Sequence, residues 1–170
     1  YSSAASDVYK RQEERELTLM LLVDVSRSSQ YGSHEQFKKE TVTEISATLA
    51  FSALQNNDKV GVILFTDQIE LYIPPKKGKS HILRIIRELI EFKPQSHQTN
   101  ISEALKFMAN VQKKRAIAFV LSDFMDTEYA TNLKIAAKKH DLTGIRIYDK
   151  HEVELPNLGL VPMVDQETGK

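Results

Sequence analysis

Short runs of continuously apolar residues recur along the chain and predict strands that are buried on both faces. The runs cover residues 17–23, 60–65 and 116–121. A strand covered by helices on both faces carries apolar side chains at successive positions, whereas a half-exposed strand alternates apolar and polar positions. We therefore expect these segments to be strands of one parallel sheet.

Residues 68–73 have a different pattern, because polar and apolar positions alternate. They follow the second apolar run after the short turn Thr66-Asp67. A short connection and one exposed face are typical of an antiparallel hairpin partner. We expect this segment to be the edge strand of the sheet.

Apolar positions at helical spacing predict helices between the strands. The predicted helices cover residues 34–55, 79–91, 102–112 and 127–139, and a last strand covers residues 144–148. Alternating strands and helices are typical of α/β folds. The chain is therefore predicted to be a Rossmann-like three-layer α/β/α sandwich whose mostly parallel sheet has one antiparallel edge strand.

Candidate chemistry begins where the first predicted strand ends. Asp24, Ser26 and Ser28 follow that strand at alternate positions. Ligands of open α/β sheets bind outside the carboxyl ends of the strands, and Mg²⁺ prefers oxygen ligands and keeps several waters. These residues are therefore candidate ligands of a hard divalent cation. The alternative is a turn or a helix cap, since Asp and Ser also bind free backbone N–H groups at helix starts.

Two further oxygen-bearing side chains are expected at the same sheet edge. Asp123 follows the buried run 116–121, and Thr99 lies in a polar stretch directly before a predicted helix. Both are candidate ligands with Asp24, Ser26 and Ser28. The alternatives are an N-cap role for Thr99 or Asn100 and a capping role for Asp123.

This arrangement resembles the von Willebrand factor A-type domains that carry a metal-ion-dependent adhesion site. Their pattern is Asp-x-Ser-x-Ser, then Thr, then Asp, after successive elements of a Rossmann-like sheet. The likeness narrows to the bacterial MoxR-associated proteins catalogued as domain of unknown function 58. It is carried by residues 13–16 (EERE), 57–66 (NDKVGVILFT), 154–161 (ELPNLGLV) and 165–169 (DQETG).

The resemblance implies a function and a partner. It implies that Mg²⁺ or Mn²⁺ is held by Asp24, Ser26, Ser28, Thr99 and Asp123 and binds a Glu or Asp carboxylate offered by a partner protein. It also links the chain to a MoxR-type AAA+ ATPase and to the assembly or maturation of other proteins. Family members often have Met and Asp where this chain has Ser29 and Asn100, and neither difference removes a proposed ligand.

The likeness also predicts how the chain is organised. Residues 13–170 are expected to form the von Willebrand factor A-type domain with a C-terminal extension. Members of the family usually have a substantial upstream region, so the chain is interpreted as the C-terminal part of a longer protein. Residues 1–12 lack sustained periodicity and an apolar signal-peptide core, and we expect them to be a non-native or disordered leader.

Composition narrows the possible functions. The 170 residues are enough for one domain that buries roughly 70% of its unfolded surface. Lys and Arg total 23, as do Asp and Glu, so no global field favours nucleic acid. The chain has no cysteine, which excludes disulfides and thiolate metal sites. No apolar run approaches the roughly 18 residues of a membrane-spanning helix, so we expect no membrane contact by this segment. We expect the segment to be cytoplasmic, and a membrane anchor in the upstream region of the longer protein is compatible with this.

Enzyme signatures do not match the chain. A haloacid-dehalogenase-type phosphotransferase needs a second Asp where this chain has Ser26, and the Gly-x-Ser-x-Gly elbow of serine hydrolases is absent. The histidines lack compact metal-ligand spacing and are interpreted as surface residues: His34, His81, His97, His140 and His151.

We therefore expect a binding module and not an enzyme. One alternative is a metal-dependent hydrolase with Asp123 or Asp126 as its base. The other alternative is a structural domain whose site holds no metal in cells.

Overall fold

The computed structural model describes residues 16–26 and 33–148 of the chain. The strands are β1 (Thr18–Asp24), β2 (Lys59–Phe65), β3 (Ile69–Lys76), β4 (Ile117–Ser122) and β5 (Asp141–Arg146). The helices are α1 (Ser33–Gln55), α2 (Lys79–Glu91), α3 (Ile101–Val111) and α4 (Ala130–Lys139). The strands form one sheet in the order β3-β2-β1-β4-β5. Only the β2–β3 pair among them is antiparallel, so the predicted α/β fold class is confirmed.

The two faces of the sheet are covered by different helices, as a continuously apolar strand requires. On β1, Leu21 and Val23 pack with Ala50 of α1 and Ile85 of α2. The alternate residues Met20 and Leu22 pack on the other face, with a cluster drawn from α3 and α4: Ile101, Ala104, Leu105, Met108 and Ala136. The β1 side chains from Met20 to Val23 are fully buried, which explains the unbroken apolar run in the sequence.

The edge strand β3 runs further than the alternating pattern indicated and includes Pro74 and Pro75. Proline has no N–H for a sheet ladder, and an edge strand tolerates this because one side has no neighbour. Pro75 lies against Gly61 of β2, where a Cβ would come within 2.9 Å of its Cγ atom. Close approach of β3 to β2 at this point therefore depends on glycine.

The C-terminal elements differ from the prediction. Helix α4 begins at Ala130 and β5 covers Asp141–Arg146, whereas the sequence predicted a helix from residue 127 and a strand from residue 144. No residue of β5 is fully buried, so the strand has no apolar run to mark its start. His140 ends α4 by donating its N–H to Ala136, and the strand begins at the next residue without a loop.

Two histidines are buried, which corrects their interpretation as surface residues. His81 lies 2.7 Å from the carbonyl oxygen of Val60 through its Nε2 atom. His140 is 1% exposed, and its Nδ1 atom accepts a hydrogen bond from the Ala116 N–H at 3.1 Å. His97 is exposed as predicted, while the His34 side chain and His151 lie outside the described residues.

Acidification should destabilise the protein through His140. Burial, followed by the nearby charges of Lys139 and Arg115, lowers the pKa of His140 from its ordinary value of 6.5. The unfolded chain therefore binds this proton more readily, and stability is lost as the pH falls from 6.5 toward the folded pKa. The expected slope is at most about 1.4 kcal/mol per pH unit for one proton. Urea unfolding at a series of pH values measures it.

The variant His140→Asn is the control for that measurement. Asn can place an oxygen near the position of Nδ1 and accept from Ala116, but it does not titrate in this range. The pH dependence between pH 5 and 7 should flatten in this variant. An unchanged slope would show that another group causes the acid sensitivity.

Candidate functional site

The carboxylate of Asp24 is the centre of the candidate site and lies at the carboxyl end of β1. Val23 pairs with Leu121 in the parallel β1–β4 register, so the next residue on each strand, Asp24 and Ser122, are neighbours at the sheet edge. The Ser122 hydroxyl donates to Asp24 Oδ2 at 2.6 Å. Parallel pairing therefore brings a carboxylate and a hydroxyl together from residues far apart in sequence.

Ser26 and Thr99 supply two more hydroxyl groups. Ser26 donates to Asp24 Oδ1 through both its backbone N–H, at 3.0 Å, and its Oγ, at 2.6 Å. The Ser26 Oγ and Thr99 Oγ1 atoms are 2.5 Å apart. Thr99 Oγ1 also lies 3.4 Å from Asp24 Oδ2, so three predicted ligands lie together.

The loop before α3 presents Thr99 to this group. The Asn100 side chain is the N-cap of α3 and accepts from the Glu103 N–H at 3.1 Å. The Asn100 N–H donates to the carbonyl oxygen of Thr66 at the end of β2. Asn100 therefore has the capping role that the sequence left open, and the Thr99 hydroxyl is directed at Asp24 and Ser26.

Asp123 borders the site without a direct bond to Asp24. It follows β4, is partly buried and accepts a hydrogen bond from the Met125 N–H at 3.1 Å. Its negative charge contributes to the electrostatics of Asp24. Asp24, Ser26 and Asp123 also line the same cavity, which has a volume of about 330 Å³. Ser28, the remaining predicted ligand, lies outside the described residues.

Ser122 belongs to the site, although the sequence analysis did not select it. It is 3% exposed and its Oγ atom also accepts from the Phe124 N–H at 3.1 Å. A single serine at the end of an apolar run is a weak signal. The available signal was its position directly before Asp123, on a strand predicted to end at the same sheet edge as Asp24.

Burial makes the Asp24 carboxylate costly to ionise. Desolvation raises the pKa of Asp24 above 3.8, and the Asp123 charge adds to this, while hydrogen bonds from Ser122 and Ser26 oppose it. Burial raises the pKa of a carboxyl group because the charged form loses its hydration. A cation at this point would compensate the negative charge of this partly buried carboxylate.

The donor set fits a hard divalent cation. Carboxylate and neutral hydroxyl oxygens are ligands that Mg²⁺ and Mn²⁺ accept, whereas softer metals favour thiolate or imidazole. Over residues 16–26 and 33–148, no group of three or more His, Cys, Asp or Glu side chains converges as a metal cluster. A metal bound here would therefore depend on hydroxyl oxygens as well as on Asp24 and Asp123.

Solved structures of other proteins show the same fold. The chain is similar to BatB from Bacteroides thetaiotaomicron, with a TM-score of 0.61 and 19% identity over 76% of this chain and 66% of that one. It is similar to the VWA domain of SpRpn10, with a TM-score of 0.50 and 15% identity over 81% and 79% of the two chains. These likenesses concern the fold, and the chain has a von Willebrand factor A-like fold.

The chain belongs to the family described as protein of unknown function DUF58, which matches residues 3–170. Curated relatives include the uncharacterized proteins Mb1516 of Mycobacterium bovis and Rv1480 of Mycobacterium tuberculosis. Each is 24% identical over 159 residues, which make up 92% of this chain and 50% of the relative. The chain thus spans about half the length of these relatives.

Within the part of the chain that the structure describes, no helix combines the length and the apolar character needed to cross a membrane.

Proposed function

We propose that this chain is a protein-interaction module that depends on Mg²⁺ or Mn²⁺. The proposed ligands are Asp24, Ser26, Ser28, Thr99 and Asp123. The observation that carries the proposal is the convergence of the Ser26 and Thr99 hydroxyls on the partly buried Asp24 carboxylate. These side chains come from the end of β1, from the residues that follow it and from the connection before α3, and they meet at the carboxyl end of the sheet, where ligands of α/β folds bind.

Charge balance supports binding of a partner carboxylate. Asp24 and Asp123 together neutralise a divalent cation, and the hydroxyl ligands add no further negative charge. A bound Mg²⁺ would keep coordination positions that the protein does not fill and that an outside oxygen can occupy in place of water. A Glu or Asp side chain of a partner protein suits such a position. The cavity beside Asp24 and Ser26 leaves space on one side of the site for the approaching group.

The proposed partner is a MoxR-type AAA+ ATPase, with a role in the assembly or maturation of other proteins. Support for this partner comes from the sequence motifs that resemble those of MoxR-associated proteins. We also propose that this segment is cytoplasmic. The chain spans about half the length of these curated relatives. A partner of the whole protein is therefore proposed here as well, together with the partner of this segment. We propose no catalytic role for this segment.

Substitution in this chain tests the proposed interaction. Asp24→Ala removes the central carboxylate, and Thr99→Ala removes a hydroxyl that points at it, so both should weaken capture of a purified MoxR-type ATPase by at least about tenfold, as typical for loss of groups around a metal. Surface plasmon resonance in millimolar Mg²⁺ measures the affinity. Substitution is preferable to chelation, because P-loop ATPases need Mg²⁺ at their own nucleotide site.

The control is Thr143→Ala, which removes an exposed hydroxyl from β5 and should leave capture unchanged. Equal capture by wild type, Asp24→Ala and Thr99→Ala would contradict the proposal. So would metal-dependent turnover of a phosphoester or peptide by the wild type that is lost in Asp123→Asn while capture survives.

A further inference from the structure

The backbone that carries Thr99 is held by a side chain outside the candidate site. Residues 92–100 connect α2 to α3, and Glu70 of the edge strand β3 binds this connection. Its Oε1 atom accepts from the Gln95 N–H at 3.1 Å and from the Ser96 N–H at 3.3 Å. The same oxygen accepts from the Thr66 hydroxyl at 3.0 Å. One carboxylate oxygen therefore joins the connection to the end of β2.

A second carboxylate holds the other end of this segment. Asp126 Oδ2 accepts from the Ile101 N–H, the first residue of α3, at 2.9 Å. Thr66 contributes again through its carbonyl oxygen, which accepts from the Asn100 N–H at 3.0 Å. Thr99 lies between these anchored positions, with its hydroxyl 2.5 Å from Ser26 Oγ.

We propose that Glu70 is a positioning residue, whose single acceptor oxygen fixes the 95–96 backbone so that Thr99 presents its hydroxyl to the Asp24 and Ser26 oxygens. The inference deepens the proposed function and rests on it. Among the described residues, the groups that donate to Glu70 are Thr66, Gln95 and Ser96, and none of them is a proposed metal ligand. Glu70 therefore acts on the site through the backbone of residues 95–96, which leads to Thr99. Neutral donors converge on one oxygen, so the role requires an acceptor at this place and not a negative charge.

This requirement separates positioning from a general electrostatic effect. Glu70→Gln keeps a carbonyl oxygen that can accept from Thr66, Gln95 and Ser96, and it removes the charge. Glu70→Asp keeps the charge and withdraws the oxygens by one methylene. Glu70→Ala removes the acceptor and leaves two backbone N–H groups without it. The three variants therefore vary the acceptor and the charge separately.

Isothermal titration with Mn²⁺ measures the effect on metal affinity. Glu70→Ala should weaken binding by about tenfold, within the range of about 10- to 100-fold that is typical when an outer partner of a metal ligand is removed. Glu70→Asp should also weaken it, and Glu70→Gln should bind like the wild type. If Glu70→Ala does not fold, the Gln and Asp variants still decide between acceptor and charge. Equal losses of Mn²⁺ affinity in Glu70→Gln and Glu70→Ala would overturn the positioning role. Wild-type affinity in Glu70→Ala would also overturn it.

A double-mutant cycle with Thr99→Ala tests whether Glu70 acts through Thr99. Once the Thr99 hydroxyl is gone, Glu70→Ala should cause little further loss of metal affinity, because residues that act through one group are not additive. Additive losses would show that Glu70 acts by another route and would overturn the inference.

Amide hydrogen exchange keeps this test distinct from the test of the proposed function. Glu70→Ala should speed exchange at the Gln95 and Ser96 amides, and Glu70→Gln should not. If the wild type bound no Mn²⁺, the proposed function would fail, while exchange would still show whether Glu70 holds the segment. If the wild type bound Mn²⁺ and all Glu70 variants matched it, the function would stand and the inference would fail.

Discussion

Millimolar Mg²⁺ or Mn²⁺ should raise the melting temperature of the purified chain, and Asp24→Ala should abolish this rise. A ligand that binds only the folded state stabilises it by RT ln(1 + [L]/Kd), which is about 2.7 kcal/mol at one hundred times Kd. For a chain of this size that corresponds to roughly 5 to 10 °C. Differential scanning calorimetry with and without the cation measures it.

The pH dependence of this stabilisation follows from Asp24. Burial raises its pKa above 3.8, so in the metal-free protein its contribution to stability is fully present below pH 3.8 and is lost as the pH rises through the folded pKa. The cation binds the ionised form of the Asp24 carboxylate. Its binding therefore offsets the stability that the metal-free protein loses when Asp24 ionises. The rise in melting temperature should therefore grow as the pH increases from 4 to 7.

Asp58→Ala is the matched control for Asp24→Ala. Asp58 Oδ1 accepts from the Leu17 N–H at 3.3 Å, at the end of the sheet where β1 begins. This variant also removes one carboxylate, but from the end of the sheet opposite to Asp24, and it should keep the full metal-dependent rise. An equal rise in Asp24→Ala would mean that the cation acts elsewhere on the protein.

Replacing Gly61 by alanine should destabilise the protein in the absence of any metal. A Cβ at this position would lie 2.8 Å from Met20 Sδ and 2.9 Å from Pro75 Cγ. Met20 is fully buried and the proline ring is rigid, so neither neighbour yields easily. Overpacking of this kind costs about 1 to 3 kcal/mol. The midpoint and slope of urea unfolding measure the loss.

Gly144→Ala provides the comparison for this prediction. Both substitutions restrict the unfolded chain, which by itself favours folding by about 0.4 to 1 kcal/mol. At Gly144 the nearest contact would be the Cζ atom of Phe124 at 3.0 Å, and Phe124 is only partly buried. Gly144→Ala should therefore cost less than Gly61→Ala. Equal costs would contradict the packing argument.

The fold was predictable where the local pattern reports burial directly. Strands β1, β2 and β4 are continuously apolar because helices cover both faces of the sheet. The start of β5 was not predictable, because this strand is partly exposed along its whole length. The buried His140 was missed for a related reason. Its contact with Ala116 joins residues 24 positions apart in the sequence, and no periodicity reports such a pairing.

The candidate site was predictable in part. Asp24 and Ser26 were expected at the carboxyl end of β1, where ligands of open sheets bind, and Thr99 was expected to reach the same place from the polar stretch before α3. The structure brings the three side chains together. Ser122 was not selected, since only the β1–β4 register places its hydroxyl on Asp24. The assignment of Asn100 as the cap of α3 also required the observed geometry.

The sequence by itself thus determined the layers, the parallel centre of the sheet and the edge at which the candidate ligands lie, because each depends on side-chain periodicity and on where each strand ends. Tertiary structure decided which polar groups bind one another. Glu70 and Ser96 are 26 positions apart, and Asp24 and Ser122 are 98 apart. Such bonds depend on strand register and loop path, which are set by packing of the whole domain and not by local pattern.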